Sequence, residues 1–304
     1  MPGAAKNIGV PMHPPSASAS PSFGLVVPSF RQGRFLRAAI DSVRAQQGVE
    51  LEFVVRDGGS DDDSVAILQS YAGVRWRSGP DGGQVRAINA GLQELGGDIC
   101  CYLNSDDVLA PDALQRVAQV FAARPDIDVV YGDAWFVDEA GTRLRNYPTV
   151  DFDFATLVQH CFLCQPATFW RRTVHARFGW FDRVFDNTFD YEFWLRLAVG
   201  GARFLHLPEV LAHSREHGAT KSQRQRARIF AEIRRMQMRH LGYVGRNWWE
   251  QQLRFWRDES GYAGGRLLPG RDPERLYRLA WWPYVLWRRR LGGPLFYRPG
   301  DWRA

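Results

Sequence analysis

The chain has 304 residues, 45% of them hydrophobic, which is enough to bury a full core and to hold one large domain plus an appendage. Its net charge of +6 hides an asymmetry: residues 1–220 hold 20 Lys and Arg against 26 Asp and Glu, whereas residues 221–304 hold 19 against 7. The pattern excludes a membrane-spanning segment, which needs about 18 consecutive apolar residues, and four cysteines exclude a disulfide framework.

Residues 1–22 are rich in Pro, Ala and Ser and lack the apolar run of a signal peptide, so a disordered tail and a cytoplasmic location are expected. Residues 23–28 read as a first strand ending in the loop Pro28, Ser29 and Phe30. The spacing of Phe35, Leu36, Ala39, Ile40 and Val43 then predicts a helix, stopped by Gly48. A second strand over 51–55 delivers Asp57 at its tip, and Gly58 and Gly59 permit a tight turn before a helix carrying Val65, Ile67 and Leu68. A short third strand at 74–76 leads through Asp81 to another helix with Ala87, Ile88, Gly91, Leu92 and Leu95.

The fourth strand, 99–103, carries acid on its tip: Asn104, Ser105, Asp106 and Asp107, with Pro111 placed to open the next helix. Two adjacent carboxylates repel unless a cation joins them, and a hard divalent ion with oxygen ligands is the usual partner. The alternative is a helix cap beside a solvated acid. Strand and helix alternate four times with short connections, which predicts a parallel, doubly wound α/β sheet. Ligands of such sheets bind beyond the carboxyl ends of the strands, where Asp57 and Asp106 both arrive.

Further along, 127–131 reads as a strand, and 133–137 with 142–147 as a hairpin turned at Gly141. Then come Gln165 and Pro166, a loop with Trp180, and a helix opening at Asp190 with Glu192, Trp194 and Arg196. A short strand near Phe204 and the stretch Val210 to Thr220 follow, holding Arg215 and His217. Residues 221–241 show an apolar helical face set against arginines. Cys161 and Cys164 form a lone C-x-x-C, for which packing is the expected role. Residues 276–290 mix Trp and Tyr with Arg and suit either an anionic membrane interface or a docked cover on the body.

Six stretches, in order, carry a resemblance: 27–30, 57–61, 81–91, 103–107, 190–196 and 215–217. Over residues 23–242 the chain resembles family 2 glycosyltransferases of the GT-A fold. That implies a doubly wound, mostly parallel sheet with a nucleotide-binding half and an acceptor-side half, and 243–304 as a basic aromatic C-terminal extension. It implies an inverting enzyme that moves a sugar from a nucleotide-diphosphate donor, with UDP as first choice, to a hydroxyl of a saccharide or lipid-linked saccharide, in surface polysaccharide or glycolipid assembly.

By resemblance Asp106 is the principal ligand of a divalent metal, Mn2+ or Mg2+, supported by Asp107, and His217 completes the shell or touches the diphosphate. Asn104 stands where the family often has Asp, which lowers the local negative charge. Pro28, Ser29 and Phe30 line the base pocket and Asp57 accepts from the base, unless Asp57 merely serves its turn. Asp81, Gln84, Asn89, Asn104 and Ser105 lie near the donor, and Arg215 neutralises phosphate. Asp190 is the general base, the alternative being a helix cap. Glu192 is expected in a structural ion pair, and Gln165 and Trp194 on the acceptor side, where the tryptophan could stack on a sugar although core packing is the more expected role for it taken singly. A sugar nucleotidyltransferase would want a Gly-rich, Arg-containing loop after the first strand, which 28–31 is not. A non-catalytic nucleotide-sugar or saccharide-binding protein of the same fold is the other alternative. Nucleic acid is not an expected partner, since no motif supports it and the crevice is acidic.

Overall fold

The computed structural model describes residues 20–218 and 225–258. The stretch 276–290, and with it the expected membrane or docked segment, lies outside the described residues, as does most of the expected N-terminal tail. Among the described residues no helix is long and apolar enough to cross a membrane.

Nine strands form one sheet in the order β3-β2-β1-β4-β8-β6-β9-β5, with β7 pairing β6 off this path. The first half is parallel. β1 (Phe23–Ser29) lies between β2 (Leu51–Asp57) and β4 (Ile99–Tyr102), and β3 (Arg75–Ser78) forms the edge. β1 is buried on both faces, as a central parallel strand between helical layers must be. α1 (Gly33–Arg44) buries Phe35, Leu36, Ala39, Ile40 and Val43, the stripe its sequence spacing defines, and α2 (Ser64–Gln69) packs beside it. α3 (Gln84–Glu94) lies close on β1 because Gly91 has no side chain. A Cβ there would stand 2.6 Å from Val26 Cγ2.

The second half is mixed. β5 (Val108–Leu109) and α4 (Ala113–Ala123) follow the acidic tip, and β6 (Val129–Val137) turns through a hairpin at Gly141, φ 88°, into β7 (Arg143–Asn146). After α5 (Phe154–Gln159), a 3-10 turn at Gln165–Ala167 leads into β8 (Thr168–Arg171), which inserts antiparallel between β4 and β6. α6 (Val174–Phe178) and α7 (Phe189–Val199) precede β9 (Phe204–Arg215).

Two expectations change here. The strand at 127–131 and the first arm of the hairpin are a single strand, β6, and the pieces near 204 and after 210 are a single strand, β9, parallel to it. The break in the sequence pattern is Pro208, which has no N–H for the ladder. The register passes from Leu207 opposite Gly132 to Val210 opposite Asp133, so the proline is bulged out.

The body also runs past residue 242. α8 (Arg226–His240) is followed by α9 (Arg246–Asp258), whose Asn247 bonds Gln159 on α5 and whose Trp248 donates its ring N–H to the Tyr191 hydroxyl at 3.1 Å. At the other end Ser22, counted with the tail, donates N–H and Oγ–H to Asp98. The core under the second half is aromatic: Trp170, Phe181, Phe193 and Trp194 meet edge to face or tilted at ring distances of 4.6–5.8 Å.

Candidate active site

The carboxyl ends of β2, β1 and β4 lie side by side. Ser29 is in register with Asp57, and Leu103 donates to Val26, so the loops after all three strands open at one edge. Asp57 is buried and closes its own turn. Its Oδ2 accepts from the N–H of Gly59 (3.1 Å) and Ser60 (2.9 Å) and from the Ser78 hydroxyl (2.6 Å), while Oδ1 accepts from the Ser60 hydroxyl. Above it Gly58 is flanked by Asp81 and the ring of Phe30, each 3.3 Å from where a Cβ would stand. Phe30 is 52% exposed, a large ring at the mouth of the crevice. Ser29 and Pro28 are buried in β1, and the Ser29 hydroxyl has no partner. Asp81 accepts from Gly83 N–H at 2.7 Å, as a turn aspartate does.

One chain of hydrogen bonds crosses from this corner to the acidic tip. Gln84, at the start of α3, donates to Asn104 Oδ1 (2.8 Å). Asn104 Nδ2 donates to Gln165 Oε1 (3.0 Å) and Asp107 Oδ2 (3.2 Å), and Gln165 donates to the Tyr102 carbonyl (2.7 Å). A carboxylate at position 104 would have no N–H to give to Asp107 or Gln165, so the amide is built into this network. Ser105 is buried beside it.

The two acids at the tip differ in use. Asp107 is buried and faces inward, accepting from Asn104 and from the Arg215 N–H (2.8 Å); burial first, then the Asp106 charge, pushes its carboxyl well up. It therefore supports the tip from behind and does not present a free oxygen. Asp106 keeps Oδ1 without a partner among the described residues, while Oδ2 meets His217 Nε2 at 3.0 Å. Arg34 on α1 reaches the other ring nitrogen of His217 at 3.2 Å. Arginine has only donors, so Nδ1 accepts and Nε2 carries the proton to Asp106. In this state His217 orients Asp106 and offers no lone pair of its own. The guanidinium of Arg215 gives Nε to the Asp106 carbonyl and Nη1 to the carbonyls of Asp138 and Glu139, which ties the β6–β7 hairpin to the tip and leaves Nη2 outside these bonds.

Asp190 enters from the second half, in the first turn of α7. It is not the helix cap. Its carboxylate is bonded by the Tyr191 N–H, to Oδ1 at 2.8 Å, and by its own N–H, and no side chain among the described residues bonds it. Burial pushes its carboxyl up to about 6, with Glu232 adding to the rise. The charges of Asp190 and Asp107 both act on Tyr102, Tyr147 and Cys164, so the two carboxyls lie in the same part of the molecule. Glu192, two residues on, points away into a buried ion pair with Arg196 (2.9 Å) and His240 (2.8 Å). Burial opposes its charge, but those bonds hold it below the usual carboxylate range.

Three expected site residues do other work. Trp194 is fully buried against Trp170 and Phe193, so it has no face to offer a sugar. Asn89 exchanges two hydrogen bonds with the Phe181 backbone and pins the loop after α6, away from the crevice. Gln165 holds Asn104 instead of standing on an open wall. Cys161 and Cys164 are free thiols raised by burial, consistent with packing. A residue the sequence reading passed over is Arg34, which lies within an amphipathic helix.

A parallel half-sheet with acid at adjacent strand ends, continued by a mixed half, is the architecture of a GT-A glycosyltransferase. The sequence profile described as Glycosyl transferase family 2 matches residues 25–179, and the chain belongs to that family. It is 27% identical over 215 residues to an uncharacterized glycosyltransferase of Rickettsia prowazekii, covering 66% of this chain and 65% of the relative. It is 27% identical over 207 residues to chondroitin synthase of Pasteurella multocida, covering 66% of this chain but 21% of the synthase. The chain thus spans just under two thirds of the first relative and about a fifth of the second. Among solved structures, S. aureus TarS with UDP-GlcNAc superposes with a TM-score of 0.58 at 15% identity, covering 87% of this chain and 80% of that one. The Pyrobaculum calidifontis mannosyltransferase PcManGT, with GDP-Man and Mn2+, gives 0.56 at 15% identity, covering 91% and 85%. At that identity the structures speak for the fold.

Proposed function

We propose that this glycosyltransferase inverts the anomeric centre of a nucleotide-diphosphate sugar, with Asp190 as general base, and acts in assembly of a polysaccharide or lipid-linked saccharide. The observation that carries the reading is a half-buried carboxyl at the start of α7, raised to about 6 by burial and with no side chain among the described residues bonded to it; we read it as facing the tip at Asp106. Asp190 takes the proton of the acceptor hydroxyl as that oxygen attacks the anomeric carbon. The bond to the diphosphate breaks on the opposite face, and the nucleoside diphosphate leaves. Phe30 with Asp57 and Asp81 forms the corner for the base and ribose.

The residues present fit a divalent cation in one respect and constrain it in another. Asp106 Oδ1 is an oxygen without a partner among the described residues, the donor type hard ions prefer, yet no group of three or more His, Cys, Asp or Glu among them forms a cage. Mn2+ or Mg2+ held by Asp106 would take its other oxygens from the donor's phosphates and would supply charge neutralisation for the leaving diphosphate. The names of chondroitin synthase, TarS with UDP-GlcNAc and PcManGT with GDP-Man support a nucleotide-sugar donor and a saccharide product, with UDP the first donor to try. Thermal shift of the full chain against UDP, GDP and other nucleoside diphosphates, with and without Mn2+, tests this. A rise in Tm that needs both nucleotide and metal is expected; no rise with any of them sinks the reading.

A further inference from the structure

α8 carries a buried carboxylate whose bonds all go to the entrance of α7. Glu232 Oε2 accepts from the N–H of Asn187 (2.9 Å), the N–H of Thr188 (3.1 Å) and the Thr188 hydroxyl (3.1 Å), and Oε1 accepts from the Asn187 side-chain amide (3.1 Å). Four donors meet a group that, when ionised, only accepts. Arg228 and Arg235 stand one helical turn away on either side, at the spacing of an ordinary surface ion pair, yet the glutamate spends its oxygens across the helix pair.

Thr188 is where α7 begins. Its carbonyl accepts the first helical bond, from Glu192 N–H at 2.8 Å, but its hydroxyl caps nothing in α7 because it is given to Glu232. The start of the helix is therefore set from outside, and Asp190 stands two residues past it. α8 is itself anchored. Phe230, Ile233 and Met236 are buried, Gln237 donates to the Val158 carbonyl (2.7 Å) and the Tyr191 hydroxyl (3.2 Å), and His240 meets Glu192 at 2.8 Å. Of these contacts Glu232 makes the one at the entrance.

We propose that Glu232 is a positioning residue for Asp190: by holding Asn187 and Thr188 from the neighbouring helix it fixes the first turn of α7 and, with it, where the base stands. This rests on the reading of Asp190 as general base and adds the residue that places it. The same carboxylate is a negative charge near Asp190 and adds to the rise that burial gives it. Glu192, on the same helix, is engaged by Arg196 and His240. Tyr102 of β4, Tyr147 after β7, Cys161 and Cys164 after α5, and Asp107 at the tip are all pushed up by burial, which keeps them protonated where Asp190 titrates.

The test is hydrolysis, by the full chain with Mn2+, of whichever of UDP-glucose, UDP-GlcNAc and GDP-mannose wild type cleaves fastest, followed against pH beside calorimetric affinity for the bare diphosphate. Glu232→Gln sets an N–H among the donors and removes the charge. Its plateau kcat falls about tenfold to 10²-fold, the scale of a small misplacement of a catalytic group. Its acid limb moves to lower pH, and its diphosphate affinity stays at the wild-type value. Thr188→Val takes away one bond and leaves the charge, so kcat falls by a smaller factor and the acid limb stays in place. Where Glu232→Gln does not fold, a Thr188→Val enzyme with wild-type kcat overturns the proposal. Unchanged kcat and acid limb in Glu232→Gln, or diphosphate affinity falling in step with kcat, also overturns it and leaves the base reading intact. Wild-type turnover in Asp190→Asn overturns the base reading and this inference with it, and a wild type that cleaves none of the three donors overturns the donor reading as well.

Discussion

The two halves of the sheet handle acid in opposite ways. In the parallel half, Asp57 at the tip of β2 receives two backbone N–H groups and two serine hydroxyls, so its turn fixes the carboxylate in one orientation. In the mixed half, Asp190 receives only backbone N–H groups, from the next residue and from itself, and burial with the Glu232 charge raises it. A carboxylate surrounded by donors is a fixed recognition element. One that is desolvated and bonded by no side chain is held ready to take a proton, since burial disfavours its charged form. In the proposed mechanism, binding and proton transfer thus fall to halves of different sheet topology.

The largest effect that would break this division comes from Asp190→Asn. Loss of the base lowers kcat by about 10²–10⁴-fold, the usual worth of general base catalysis, while the Mn2+-dependent thermal shift with nucleoside diphosphate stays as in wild type. A variant that loses nucleotide binding as well as turnover would place Asp190 in the binding half and erase the distinction.

A second substitution sharpens the comparison within one helix. Glu192 is two residues from Asp190 but fully engaged by Arg196 and His240. Glu192→Gln removes the charge those donors hold and lowers stability by about 1.5–3 kcal/mol, read from denaturant unfolding. Turnover per folded molecule is retained. A large drop in kcat with unchanged stability would mean that the engaged acid, and not the one no side chain bonds, is the base.

These contrasts were unequally visible in the amino-acid sequence. The parallel half was legible because each strand and helix is short, adjacent in the chain and marked by its own period. The apolar stripe of α1 and the acid at the ends of β2 and β4 follow from local pattern alone. The mixed half was not, because β6 and β9 pair in parallel across a long intervening segment, and the Pro208 bulge broke the second strand's pattern in two. The role of Trp194 was left between the acceptor side and the core for a related reason. Nearly all of α7 from Phe189 to Leu197 is buried, so no exposed stripe distinguishes a tryptophan facing the crevice from one in the core.

The smallest effect, and the most specific, is on pH dependence. The Asp190 carboxyl is raised to about 6, and the base must be unprotonated, so kcat rises about tenfold per pH unit below 6 and levels above it. Stability linked to the same group moves the other way. A carboxyl whose folded value lies above its unfolded value near 3.9 contributes stability in full below about 4, and that contribution is lost as pH rises through about 6. Between pH 4 and 6 the enzyme therefore gains turnover while losing the share of stability that Asp190 provides. Asp190→Asn removes both slopes together, which no substitution at Asp57 should do. A kcat profile flat from pH 4.5 to 7 would show that Asp190 does not gate proton removal, whatever its place in the crevice.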